Sequence, residues 1–142
     1  MAGTNLYHIY LADIPYDDED TVKYRPGLLI LPGKDTSRVF KITSRTTKSS
    51  RIQAVYYPIK NWKAAGLSKA SFIDTHTTYS IPTQALTARK LIGHLSDADA
   101  IGLANFIAEH QTEIAAVHQE ARRKILKEHP ADTYLKRRGL DR

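Results

Sequence analysis

Arg25 and Pro26 stand directly before an unbroken apolar run, "GLLIL" (27–31), and the next run, "RVFKITS" (38–44), closes on two hydroxyls, Thr43 and Ser44. A guanidinium forks onto two oxygens of a phosphate and stays charged at any accessible pH. A short hydroxyl donates to a phosphate oxygen or to a base edge. Pro26 has a fixed φ and no N–H, so it is expected at a strand's first residue or at a sheet edge. That puts Arg25 at a rim, beside solvent. The competing reading of Arg25 is an ion pair with the acidic cluster Asp17–Asp20, and that of Thr43 is plain β-propensity.

A third group lies in "FIDTHTTYS" (72–80). Asp74 and His76 are two residues apart, so on a strand they share a face, where a carboxylate would hold the imidazole's tautomer. Proton transfer or base contact is the chemistry such a pair suits; a hydrogen-bonded surface histidine is the alternative. His8 is a further candidate. Tyr24 adjoins Arg25 and offers a ring on which a splayed base could stack. "TSRTTKSSR" (43–51) carries three cations, Arg45, Lys48 and Arg51, among hydroxyls, which suits a phosphate backbone as well as it suits a solvated turn.

The elements that must position these groups are short. "YHIYLADIP" reads as a strand ended by Pro15, "YDDEDTVKY" as an acidic loop, and "PGLLILP" as a buried strand. "RVFKITS" reads as a strand with Val39 and Ile42 directed to a core. "IQAVYYPI" and "ASFIDTHTTYSIP" are further strands, "KNWKAAG" is a helical turn or loop, and "LTARKLIGHL" holds a short last strand. Close-set strands with turn signals between them predict a small antiparallel barrel or sandwich.

From Leu95 the character changes. Ser96 is a helix start, with Asp97 and Asp99 in the first turn at the positive end of the dipole. Ile101, Ala104, Ile107, Ala108, Ile114, Val117, Ala121 and Ile125 recur at helical spacing, predicting one long helix or two in line broken near 110–112, ended by Pro130.

Composition bounds the rest. The chain of 142 residues is 42% apolar and 25% charged, which suits one soluble domain with a real core. It has no cysteine, so neither a disulfide framework nor a Cys-based zinc site is available. No apolar run approaches the roughly 20 residues of a membrane span, and the N-terminus does not read as a secretory signal. A cytoplasmic protein is expected. Net charge is +6 and uneven: residues 1–20 hold five acids and no Lys or Arg, whereas 21–51 hold eight basic residues and one acid. Clustered positive charge is the usual footprint of a nucleic-acid binder, and also serves solubility or acidic protein partners.

The order of "IYLADIPY", "YRPGLLI", "FKITS", "SFIDTHTTYSI" and "GHLSDADAIGL" resembles the PemK/MazF/Kid-type toxins, the ribonuclease halves of bacterial toxin–antitoxin pairs. The resemblance covers residues 7–110. It implies an SH3-like barrel of five to six strands with flanking helices, mainly β with a long C-terminal helix, usually a homodimer. It implies cleavage of single-stranded RNA without a metal or other cofactor, and neutralisation by a cognate antitoxin protein. Without a metal, the RNA's own 2′-hydroxyl attacks the neighbouring phosphorus, so a cation must stabilise the phosphate and other groups must move two protons. Arg25 matches the family's arginine, and Thr43 the threonine that lies beside it and contributes to cleavage. His8 stands where the family often has Gly-Asp, a departure that leaves its role open. The chain divides into a barrel domain, 1–110, and a basic helical extension, 111–142, that would extend the dimer, contact RNA or bind an acidic antitoxin. Two other readings fit the same residues: a non-catalytic module gripping RNA or DNA, and a barrel that binds only protein.

Overall fold

The computed structural model describes residues 7–15 and 22–128. The acidic cluster Asp17–Asp20 and everything past Glu128 lie outside the described residues. Six strands form one antiparallel sheet: β1 (His8–Pro15), β2 (Val22–Leu31), β3 (Thr36–Thr43), β4 (Tyr56–Pro58), β5 (Phe72–Pro82) and β6 (Leu91–His94). Their spatial order is β4-β5-β3-β2-β1-β6, and no ladder among the described residues joins β4 to β6, so the sheet is open. Four helices accompany it: α1 (Ser50–Gln53), α2 (Thr83–Ala88), α3 (Asp97–Glu109) and α4 (Gln111–Glu128). A mainly β fold with C-terminal helices is the class expected.

The apolar run of β2 follows from burial on both faces of the sheet. Successive residues feed two separate cores: Ile9, Leu28 and Phe40 enter one, Tyr10, Leu29 and Val39 the other. Leu103 of α3 closes the first, with Phe106 and Ile107 packed against it, and Leu86 of α2 closes the second. A strand covered on both sides has no polar face to alternate with, so its sequence reads as continuous hydrophobics. The same burial takes in the polar side chains of Ser37 and Lys41, which share the parity of Val39 on β3.

Two local expectations change, and one helix has no counterpart in the sequence reading. "IQAVYYPI" is not one strand: Ser49 accepts a hydrogen bond from Ile52 N (3.3 Å), caps α1, and confines β4 to Tyr56–Pro58. Val22–Tyr24, assigned to the acidic loop, belong to β2 and pair with Pro15–Asp13 of β1. Thr83–Ala88 forms α2, which lacks a side-chain cap and is held by burial of Leu86.

α3 begins as its sequence requires, with Ser96 Oγ accepting from Asp99 N (3.1 Å). The interruption falls at His110, whose ring stacks on Phe106 (4.0 Å between centroids) and whose Nδ1 donates to the Phe106 carbonyl (2.8 Å). Two consecutive helices, rather than one, therefore follow. Ile101, expected in the core by spacing, is 63% exposed, because Leu103 and Phe106 make the contacts with the sheet.

Asp99 is 1% exposed and does more than face the helix dipole. Its carboxylate accepts from Tyr57 Oη (2.7 Å), Lys60 N (3.0 Å) and Asn61 N (2.8 Å), so it ties α3 to the chain leaving β4. Burial alone would raise its pKa, but these donors and Ser96 outweigh it and hold the carboxyl below its usual value. Burial, and then the bond to Asp99, push the Tyr57 phenol up.

Candidate functional site

The β2–β3 ladder runs from Leu31 to Gly27, which faces Lys41. Two residues further, the same register would set Arg25 opposite Thr43, but the strands have parted there. Pro26 sits at this fork, in mid-strand rather than at a strand start, opposite Leu11 of β1 and just past the last β3 pair. Its missing N–H falls on the stretch of β2 that has one sheet neighbour instead of two. The expectation of a local edge holds, and it is produced by divergence of strands.

The fork opens a cleft of about 310 Å³. Tyr24, Arg25 and Pro26 form one wall, Thr43, Ser44 and Arg45 the second, and Leu67, Ser68, Lys69 and Ser71 the third. Arg25 and Thr43 thus come to one concavity from separate strands, with Tyr24, Ser44 and Arg45. Thr43 is 8% exposed, and its Oγ1 accepts from Arg45 N (3.1 Å), which leaves its O–H to donate. The exposed Tyr24 ring lies under the Arg89 guanidinium (4.5 Å from the centroid), and Arg89 Nη2 reaches Asp13 Oδ2 (3.2 Å).

Asp74 and His76 do make the expected carboxylate–imidazole contact, through Asp74 Oδ1 and His76 Nδ1. Their setting is different from a surface site. Asp74 is 0% and His76 7% exposed, and neither lines the cleft. Lys41 Nζ lies 3.7 Å from Asp74 Oδ2, and His118 of α4 donates from Nδ1 to the His76 carbonyl (3.0 Å). Lys41 pairs with Asp74 across β3 and β5, while Thr43 pairs with Phe72, so this group lies two residue pairs along the β3–β5 ladder from the cleft. Lys48 and Arg51 do not line the cleft either; Arg51 makes an ion pair with Glu120 of α4. His8 stands opposite His94, with ring centroids 6.0 Å apart, away from the cleft. Burial, and then His94, lower the His8 pKa.

Sequence reasoning missed Ser68, Lys69, Ser71 and Arg89. "GLSKAS" carries no motif; the signal it offers is a lone cation between Gly66 and a strand. The root of that third wall is fixed by backbone. Gly66 adopts φ +94, and a Cβ there would meet the Ile92 carbonyl oxygen. A Cβ on Gly93 of β6 would run into the Ala65 carbonyl oxygen. The two segments interlock because neither position has a side chain. Among the described residues no three His, Asp or Glu side chains gather as a metal site would need, and no helix is long and apolar enough to cross a membrane.

Among solved structures, the chain is similar to the Mycobacterium tuberculosis toxin MazF-mt6, at 22% identity and a TM-score of 0.53 over 72% of this chain and 93% of that one. The fold is MazF-like. An endoribonuclease from a mycobacterial species, in complex with its cognate antitoxin, superposes with a TM-score of 0.56 at 10% identity, over 75% of this chain and 93% of that one. MazF from a Deinococcus radiodurans MazE–MazF structure gives 0.50 at 11% identity, over 74% and 90%. These MazF-like chains are matched almost end to end, whereas about a quarter of this chain has no counterpart in them. No protein-family model matches the sequence, and no curated protein matches it.

Proposed function

We propose that this chain is a metal-independent endoribonuclease of the toxin type, cutting single-stranded RNA. The observation that carries the reading is the meeting of Arg25 and Thr43 in one solvent-facing cleft with two further cations, Arg45 and Lys69. The fold shared with endoribonuclease toxins supports it. In the proposed reaction the 2′-oxygen of one nucleotide attacks the adjacent phosphorus and loses its proton. The bond from phosphorus to the 5′-oxygen breaks, and that oxygen gains a proton. The products are a 2′,3′-cyclic phosphate and a 5′-hydroxyl.

Negative charge accumulates on the non-bridging oxygens during this step. Arg25 clamps those oxygens, and the Thr43 hydroxyl donates to one of them. Lys69 and Arg45 hold flanking phosphates, and Ser44 serves a phosphate or base edge. Tyr24, pressed on one face by Arg89, offers its other face to a base. Lys48 and Arg51 continue the phosphate path beyond the cleft. Asp74 and His76 act as positioning residues, bracing Lys41 and the β3–β5 ladder that carries Thr43. The portion 1–110 carries the activity as a homodimer, and a cognate antitoxin protein restrains it.

The test is cleavage of a labelled single-stranded RNA by wild type and Arg25→Ala in EDTA, with growth followed on expression of each. Cutting by wild type in EDTA, ending in cyclic phosphate and lost in the variant, is expected. A variant that cuts and poisons as well as wild type removes Arg25 and this mechanism with it.

A further inference from the structure

α4 carries a charge step along its length. Its first turns hold Glu113, and its exposed later residues include Arg122 and Arg123. Its buried face is set by Val117, with Ile114, His118 and Ala121 half-buried around it, and it packs on β5, α1 and α3. One flank of that face meets α1, where Glu120 pairs with Arg51. Arg123 follows Glu120 by three residues, about 60° further round the helix on the same flank, whereas Arg122 falls about 160° from Glu120, across the helix.

The segment between the cleft and α4 is internally tied. Arg45 N is held by Thr43 Oγ1 (3.1 Å), Thr47 N by Gln53 Oε1 (3.1 Å), and Ser49 N by Thr47 Oγ1 (3.2 Å). One end of this segment lines the cleft and the other, through Arg51, touches α4. It presents exposed Arg45, Lys48 and Arg51 in sequence, and Arg123 lies one helical turn beyond. A row of exposed cations on a braced backbone is the electrostatic form of a single-strand track.

We propose that α4 extends the RNA-binding surface. A strand leaving the cleft follows Arg45, Lys48 and Arg51 and sets a further phosphate on Arg123, with Glu120 opposing it by neutralising Arg51. This rests on the proposed function, and it adds that the chain grips RNA well outside the phosphodiester it cuts. Charge favours a polyanion here, and an extended nucleic-acid strand, unlike a compact anion, spans both the cleft and the helix.

The experiment uses the full chain and two single-stranded RNAs blocked by a 2′-O-methyl group at the scissile position. One is about 5 nucleotides, enough for the cleft, and the other about 14, within the span a single-strand site covers. For the longer RNA, Arg123→Gln should weaken binding about three- to fivefold at low salt and lower the salt slope by roughly 0.7, the share of one phosphate contact. Glu120→Gln should tighten it by a similar factor. Neither variant should change binding of the short RNA, and Arg122→Gln should change neither RNA. Thermal melts of each variant confirm that folding is intact, and Lys48→Gln gives an independent variant on the loop with the same expected direction as Arg123→Gln. The proposal is overturned if Arg123→Gln leaves the long RNA unaffected, if Glu120→Gln weakens binding as a lost brace would, or if both RNAs respond alike. If wild type binds neither blocked RNA and leaves their unblocked counterparts uncut, the nuclease reading falls as well; if it cuts the unblocked short RNA normally while these variants are silent on the blocked long one, the extension alone is wrong.

Discussion

Two polar regions of this molecule differ in what their groups lack. At the start of α3, Asp99 is buried and its carboxylate takes donors from Tyr57, Lys60 and Asn61. Nothing there is left to offer a ligand. In the cleft, Thr43 has spent its acceptor on Arg45 N but keeps a proton to give, and Tyr24 lies 57% exposed beneath Arg89. Saturated polar groups hold a fold together, and polar groups with capacity to spare, in a concavity, are where a substrate finds purchase. The Asp74–His76–Lys41 group falls between the two: it is buried away from the cleft, yet among the described residues Asp74 Oδ2 accepts no hydrogen bond and has Lys41 Nζ only at 3.7 Å.

The comparison is broken or sharpened by substitutions on each side. Arg25→Ala should reduce the cleavage rate at least 100-fold, the scale of a lost oxyanion-type donor, with the melting temperature nearly unchanged. If the melting point falls while the rate holds, the two regions have been assigned the wrong way round. Asp99→Ala should do the reverse. It strands a buried phenol and two backbone N–H groups and should cost about 3 kcal/mol by denaturant titration, while the rate per folded molecule stays unchanged. Thr43→Val keeps the shape and removes the proton to be donated. About a tenfold slower turnover with little change in RNA affinity is expected, because the bond strengthens as charge develops.

Acid titration probes the same divide. The folded-state pKa of Asp99 is lowered, so its contribution is fully present above the unfolded value of 3.8 and is lost as pH falls through the folded value. Wild type should therefore lose stability below about pH 4 more steeply than Asp99→Asn, read from urea midpoints against pH; parallel curves would remove Asp99 from acid unfolding. The smallest effect belongs to Arg89→Ala. It frees the Tyr24 ring and should weaken RNA binding by about 0.5–1 kcal/mol, with cleavage at saturating RNA unchanged.

Much of this was legible in the sequence, for physical reasons that differ by element. β1 and β2 announce themselves through apolar residues bounded by Pro or Gly, β5 through its β-branched and aromatic residues ended by Pro82, and α3 through Ser96. Two-sided burial makes such runs long and hard to misread. The opposite holds for residues 49–58, where "IQAVYY" has β-rich composition but a single hydroxyl, Ser49, diverts it into a helical turn. Ile101 misled because helical spacing marks two adjacent faces equally well, and tertiary contact chose Leu103 and Phe106. In the cleft, Arg25 and Thr43 could be picked out because their neighbours, Pro26 and the strand end, say where a strand loses a partner. Lys69 could not, since its place follows from a loop folding back over the β2–β3 fork, which no local pattern encodes. Depth was equally hidden: the spacing of Asp74 and His76 fixes a shared face, and it took the lid of α4 to turn that face inward.

The interlocked glycines bear on what can enter between the walls. Because Gly66 and Gly93 mate backbone to backbone at the very foot of the 67–71 segment, that segment has a fixed base from which it cannot swing away as a unit. On the proposed function, a cleft above Arg25 with one wall so footed admits by gauge: a slender polyanion would thread in with its bases turned aside, and a thicker one would be turned away at the threshold.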